Sequence, residues 1–144
     1  MSVIKEIYDV ANDAAALKQK RAALKRALRT ELKLNHKFLQ DVKVKDINDA
    51  RRVEMLNMLE IEELAAAVKL EIPYSLLSRK EVEEELANRY KMKPLIGLGV
   101  GELIEHLYLM ISYLKKDYKN PRIHLNLRLI NIYKYNGVLV ELLK

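Results

Sequence analysis

The stretch LKQKRAALKRALRTELKLNHKFLQDV, Leu17 to Val42, decides how the rest of the chain is read. At about 100° per residue, Leu17, Leu24, Leu28, Leu32, Leu39 and Val42 fall on one stripe of an α-helix. The stretch holds no proline or glycine and is rich in Ala, Leu, Lys and Arg, the strongest helix formers. Upstream, Ser2 can cap the same helix, with Glu6, Asp9 and Asp13 near its positive end. Nothing breaks the pattern before Val42, so it predicts a rod of up to about 40 residues, roughly 60 Å long. In so small a domain, that length implies an interruption near Asn12–Ala16 or a rod that extends to a partner.

Arg21 and Asn35 fall inside the apolar stripe, and Glu31 lies at its edge. An Asn in an apolar seam selects one register or one partner at some cost in stability. The other readings of Asn35 are a buried network with Glu31 and a hydrogen bond to a loop at the end of the bundle. Leu17, Leu24, Leu28, Asn35 and Leu39 are the expected partner interface.

Further along, the segment from Asp49 to Lys69 is expected to form a second, broadly apolar helix, ended by Pro73. Ser78–Glu81, "SRKE", has the form of a capping box and predicts a short third helix over about 79–92. A fourth runs from about Gly101 to Tyr118. The last segment, NPRIHLNLRLINIYKYNGVLVELLK, offers Asn120 as cap and Pro121 in the first turn, with His124, Arg128 and Asn131 as a polar helical stripe. "IHLNLRL" also alternates with period two, and Asn136–Gly137 is a hairpin signal. A helix is the preferred reading there and a small C-terminal β-hairpin the alternative.

Composition bounds the function. The chain has 144 residues, half of them hydrophobic and 32% charged, which suits one domain spanning 1–144. Cysteine is absent, which removes disulfides, thiol chemistry and Cys-ligated metals. The longest charge-free apolar run, Leu107–Leu114, is far short of the ~18 residues needed to cross a bilayer. The opening MSVIKEIYDV meets charges too early for a signal peptide, so a cytoplasmic location is expected. The net charge of +6 is uneven: residues 1–52 and 111–144 are basic, and 53–110 are acidic. That pattern suits complementary helices or a basic face for an anionic partner.

Between Asp13 and Glu31 the helix carries Lys18, Lys20, Arg21, Lys25, Arg26 and Arg29 with no acid among them. Lys18, Lys25, Arg26 and Arg29 are the candidates for binding an anion or nucleic acid. Lys18, Lys25, Arg29, His36 and Lys43 line one flank of the helix, beside its apolar stripe.

Arg29 and His36, seven apart in "RTELKLNH", share a helix face and resemble the R-x(4–6)-H signature of the HEPN family of helical-bundle ribonucleases. The resemblance implies metal-independent RNA cleavage at a dimer interface, with Arg29 holding the phosphate and His36 in acid–base chemistry. It covers eight residues. It also departs from the family, whose pair usually sits late in the bundle and has a polar residue after the arginine, where Thr30 fits loosely.

Gly97, Gly99 and Gly101 in "KPLIGLGVGE" suggest a phosphate loop. The spacing, however, is G-x-G-x-G, and Glu102 stands where a P-loop would place a lysine. The other readings are a sharp bend between helices and an apolar docking loop. His36, His106 and His124 are isolated, and no Glu-x-x-His occurs, so neither metal nor cofactor is expected. The fold class is therefore all-α, a four- to five-helix bundle led by one very long N-terminal helix. The expected function is a non-catalytic helical interaction protein, a homo-oligomer or small subunit of an intracellular assembly. The rival is an HEPN-like RNA-binding or RNA-cleaving bundle.

Overall fold

The computed structural model describes residues 2–10, 14–43, 47–70 and 72–144, without the side chains of 8–10 and 14–18. The described residues are helical, with no named strand, so the all-α class holds. The helices are α1 (Val3–Val10), α2 (Ala14–Phe38), α3 (Asp49–Met58), α4 (Glu62–Lys69), α5 (Glu84–Arg89), α6 (Val100–Asp117) and α7 (Leu125–Leu142). Two 3-10 turns, Tyr74–Leu76 and Lys93–Leu95, flank α5.

The single rod expected over the first forty residues is replaced by α1 and the 25-residue α2. Val3 and Ile7 share a groove with Ala23, Ala27 and Leu34, and α1 packs on both α2 and α4. In a continuous helix, Val3 and Ala27 would stand about 36 Å apart at 1.5 Å per residue. The first helix therefore lies back along the second, antiparallel to it.

The apolar stripe of α2 is buried as its spacing requires: Leu24, Leu28 and Leu32 are fully covered, as is Leu39 in the turn that follows the helix, and Val42 nearly so. It packs on α7, α4 and α3, while α7 also meets α6 and α3. At about 25 cal/mol per Å2, each buried leucine contributes roughly 2 kcal/mol before entropy is counted. These contacts hold α2 far more firmly than its helix propensity does.

The second expected helix, Asp49 to Lys69, is two helices broken at Leu59–Ile61. Asn48 starts α3 by accepting the Arg51 N–H at 2.9 Å. The break is held by α2: Asn35 donates from Nδ2 to the Glu60 carbonyl and accepts the Glu60 N–H at 2.6 and 2.9 Å. Three residues on, the Glu31 carboxylate accepts the Glu63 and Leu64 N–H groups at 2.8 and 2.9 Å, closing the start of α4 from another helix.

The capping box at Ser78 does not start a helix. Ser78 Oγ accepts the Lys80 N–H at 3.1 Å in a turn, and the chain runs extended before α5 begins at Glu84. There it pairs with the glycine segment: Val82 N–H donates to the Leu98 carbonyl and Gly97 N–H to the Val82 carbonyl, both at 2.9 Å. Likewise Asn120 caps a turn, accepting the Arg122 N–H at 3.0 Å, and α7 starts later, at Leu125. The C-terminal segment is a helix and no hairpin. Gly137 sits inside α7 because the Tyr90 ring lies where a side chain would be.

Candidate functional site: an apolar groove and a basic flank on the long helix

Between α1, α2 and the start of α4 lies a groove of about 410 Å3. Val3, Ile7, Ala23, Ala27 and Leu34 give it apolar walls, and Val3 and Leu34 remain 49% and 39% exposed. Its end is acidic. Glu60 and Glu62 are exposed there, and the buried Glu31 and Glu63 line the same space, with Arg26 opposite.

The two buried carboxylates are held in series. Glu31 closes α4, and Glu63 accepts the Val3 and Ile4 N–H groups at 2.8 and 2.9 Å and the Ser2 hydroxyl at 3.2 Å, closing α1. Ser2 itself accepts the Lys5 N–H. Burial raises the Glu31 carboxyl to about 7 against the pull of its two N–H donors, and the negative charges of Glu63 and Glu60 add to the rise.

Leu24, Leu28 and Leu39, assigned to a partner interface from the sequence, lie against this chain's own helices, and Asn35 is fully buried on the Glu60 backbone. The apolar stripe of α2 is thus occupied within the chain. Leu17 and Lys18 have side chains outside the described residues. The exposed apolar surface beside that stripe is the groove, which the sequence did not indicate. Its signal would have been Leu34 and Ala27, which fall off the main stripe.

The basic flank of α2 meets α7. Lys25 Nζ donates to the Lys144 main-chain oxygen at 3.2 Å. Arg29, one turn on, is half-buried, and its buried Nε has no partner among the described residues. His36 stacks on Tyr133 of α7 with ring centroids 4.4 Å apart and planes 13° apart, and Lys43 lies over the same ring at 5.2 Å. Burial holds the His36 imidazole below its ordinary pKa. Arg29 and His36 thus share the α7-facing flank without a described contact between them, while Arg26 faces the groove.

Gly97, with φ +87°, takes the left-handed conformation that glycine allows. Gly99 precedes α6 in extended conformation, and Gly101 lies in its first turn against the Tyr74 ring. The Gly97 and Leu98 N–H groups are already bonded, to Val82 and Leu95, and so are not available to cradle a phosphate. Ile96 at the tip is exposed. Among the described residues no cluster of three or more His, Asp or Glu could hold a metal ion, and no helix is long and apolar enough to cross a membrane.

No protein family, curated protein or solved structure matches this chain.

Proposed function

We propose that this chain is a non-catalytic helical interaction protein that receives an amphipathic helix of a protein partner in the α1–α2 groove. The observation that carries the reading is the pairing of exposed apolar walls, Val3 and Leu34, with the exposed carboxylate of Glu60 at one end. A helix lying in a groove anchors through apolar residues at i, i+3, i+4 and i+7. A Lys or Arg on such a helix would meet the acidic end. The partner is a separate subunit or a second copy of this chain, in a homo-oligomer or a larger assembly.

The chain has no cysteine, so Thr30→Cys, exposed beside the groove, takes a single fluorescent label. The probe is a helical peptide of Leu and Lys in the amphipathic pattern, with a Leu/Glu peptide of the same pattern as control. Saturable binding of the first alone, lost in Leu34→Arg, is the expected result. Equal binding of both peptides, or of neither, overturns the reading. Light scattering at several concentrations then separates the two kinds of partner. A mass above the monomer that Leu34→Arg returns to the monomer assigns the groove to a second copy.

The rival HEPN-like reading rests on Arg29 and His36 sharing one flank. Against it weigh the stacking of His36 on Tyr133 and its buried, unpartnered Nδ1, which suit packing better than proton transfer to a substrate.

A further inference from the structure

A second cavity, of about 650 Å3, opens between α2 and the loop that follows the first 3-10 turn. Its lining brings together Arg21 and Lys25 from α2 with Ser78, Arg79 and Lys80 from the loop, and no Asp or Glu. The chain thus gathers four cations that are distant in sequence onto one concave surface.

The cations are positioned rather than scattered. Arg21 Nε and Nη2 donate to the Leu76 and Ser75 carbonyls at 3.1 and 3.3 Å, which fixes one edge of the guanidinium. Lys25 and Lys80 converge on a single acceptor, the Lys144 main-chain oxygen, at 3.2 and 3.1 Å. One oxygen with two ammonium groups leaves most of their six N–H donors for other acceptors. Among the described residues, no hydrogen bond or ion pair fixes Arg79, and no Asp or Glu carboxylate pairs with any of the four. Burial, followed by the charges of Lys80, Arg29 and Arg21, lowers the Lys25 pKa, as expected where cations crowd together.

We infer that this cavity binds a compact polyanion, a chain of two or three phosphates, through Lys25, Lys80, Arg79 and the free edge of Arg21. Several oxygens on adjacent phosphates match several separated N–H donors, and guanidinium groups pair with phosphate in bidentate fashion. The volume falls in the range of small-molecule sites. The phosphates can belong to free polyphosphate or to a nucleoside triphosphate. This inference is independent of the helix-binding groove.

The test is calorimetric titration at low and physiological salt with inorganic tripolyphosphate, then ATP and inorganic phosphate. A single saturable site for tripolyphosphate is expected, weakened at least tenfold by Lys25→Gln and by Lys80→Gln. The same loss in Arg79→Gln keeps the inference testable if either lysine variant unfolds, because Arg79 is exposed and anchors nothing. Lys33→Gln, exposed on α2 away from the cavity, should bind within twofold of the parent. Equal affinity for tripolyphosphate and ATP assigns the site to the phosphate chain alone, and tighter ATP assigns it to a nucleotide. Absence of binding at low salt overturns the inference. So does an equal loss in Lys33→Gln, which would mean diffuse charge. Binding of single-stranded RNA without tripolyphosphate binding also overturns it.

Discussion

Glu31 and Glu63 are linked head to tail: the carboxylate of Glu31 accepts the backbone N–H of Glu63 at 2.8 Å, and the carboxylate of Glu63 accepts those of Val3 and Ile4. Each acid closes the start of a helix other than its own, so α2 holds α4 and α4 holds α1. Removing Glu63 should therefore loosen α1 alone. In Glu63→Ala, amide exchange at Val3 and Ile4 should quicken about tenfold, the equivalent of ~1.4 kcal/mol, with α6 and α7 unchanged. Glu31→Ala should cost more, roughly 2–4 kcal/mol in urea unfolding, because both N–H groups that it bares are buried, whereas the Val3 N–H held by Glu63 is only partly so. Equal losses in the two variants would contradict the serial arrangement.

The pH dependence of stability follows from the Glu31 carboxyl, which burial raises from 4.5 to about 7. Between those values the folded chain keeps a proton that the unfolded chain has released. Stability from this group is therefore greatest at low pH and falls as pH rises through 7, by on the order of 1–3 kcal/mol. His36 acts with the opposite sign. Burial lowers its pKa below 6.5, so its contribution is present above 6.5 and lost as pH falls through the folded value. Comparing the parent chain with Glu31→Gln isolates the carboxyl. The stability difference between the two should change from pH 5 to about 7 in urea titrations, in the sense that the parent loses ground, and level off above that. A constant difference would show that Glu31 does not titrate there.

Asn35 meets both backbone groups of Glu60, the residue at which α3 has ended and α4 has not begun. Asn35→Leu should lose about 2–3 kcal/mol, despite placing an apolar residue among apolar neighbours, because the carbonyl and N–H of Glu60 both lose their partner. Asn35→Asp keeps the acceptor and loses the donor, so it should fall between the two. The same samples should show one mass by light scattering in all three chains, since the amide is spent within the chain. A change of mass in Asn35→Leu would instead assign the residue to an interface.

The burial of α2 was legible in its sequence because Leu24, Leu28, Leu32 and Leu39 recur at helical spacing, and spacing is a local property. The first break was half legible: the length of the pattern implied an interruption near Asn12–Ala16 or a rod reaching a partner, but nothing local showed that α1 would fold back on α2. The second break was not legible. "NMLEIEELAA" contains neither glycine nor proline, yet the helix ends inside it. What ends it is the supply of hydrogen-bond partners from Glu31 and Asn35, more than twenty residues away. Those two residues were visible as polar intrusions in an apolar stripe, but their partners could not be read from the stripe. The basic cavity was half visible: Lys25 and Arg21 stood out, while Arg79 and Lys80 reach them only through the fold.

Gly137 offers the sharpest test of the packing of α7. In an exposed helix, replacing Gly by Ala stabilises by about 1 kcal/mol. Here a Cβ would stand 2.6 Å from Cζ and 2.7 Å from the hydroxyl of Tyr90, closer than non-bonded atoms approach. Gly137→Ala should therefore destabilise by roughly 1–3 kcal/mol, as the ring is driven from its seat between α5 and α7. In a Tyr90→Ala background the obstacle is gone, so the same substitution should be neutral or stabilising by up to about 1 kcal/mol. The double-mutant cycle read from urea midpoints should thus show a coupling of about 2 kcal/mol or more. Additive effects would mean that Tyr90 does not sit on Gly137, and that some other constraint keeps glycine in the middle of this helix.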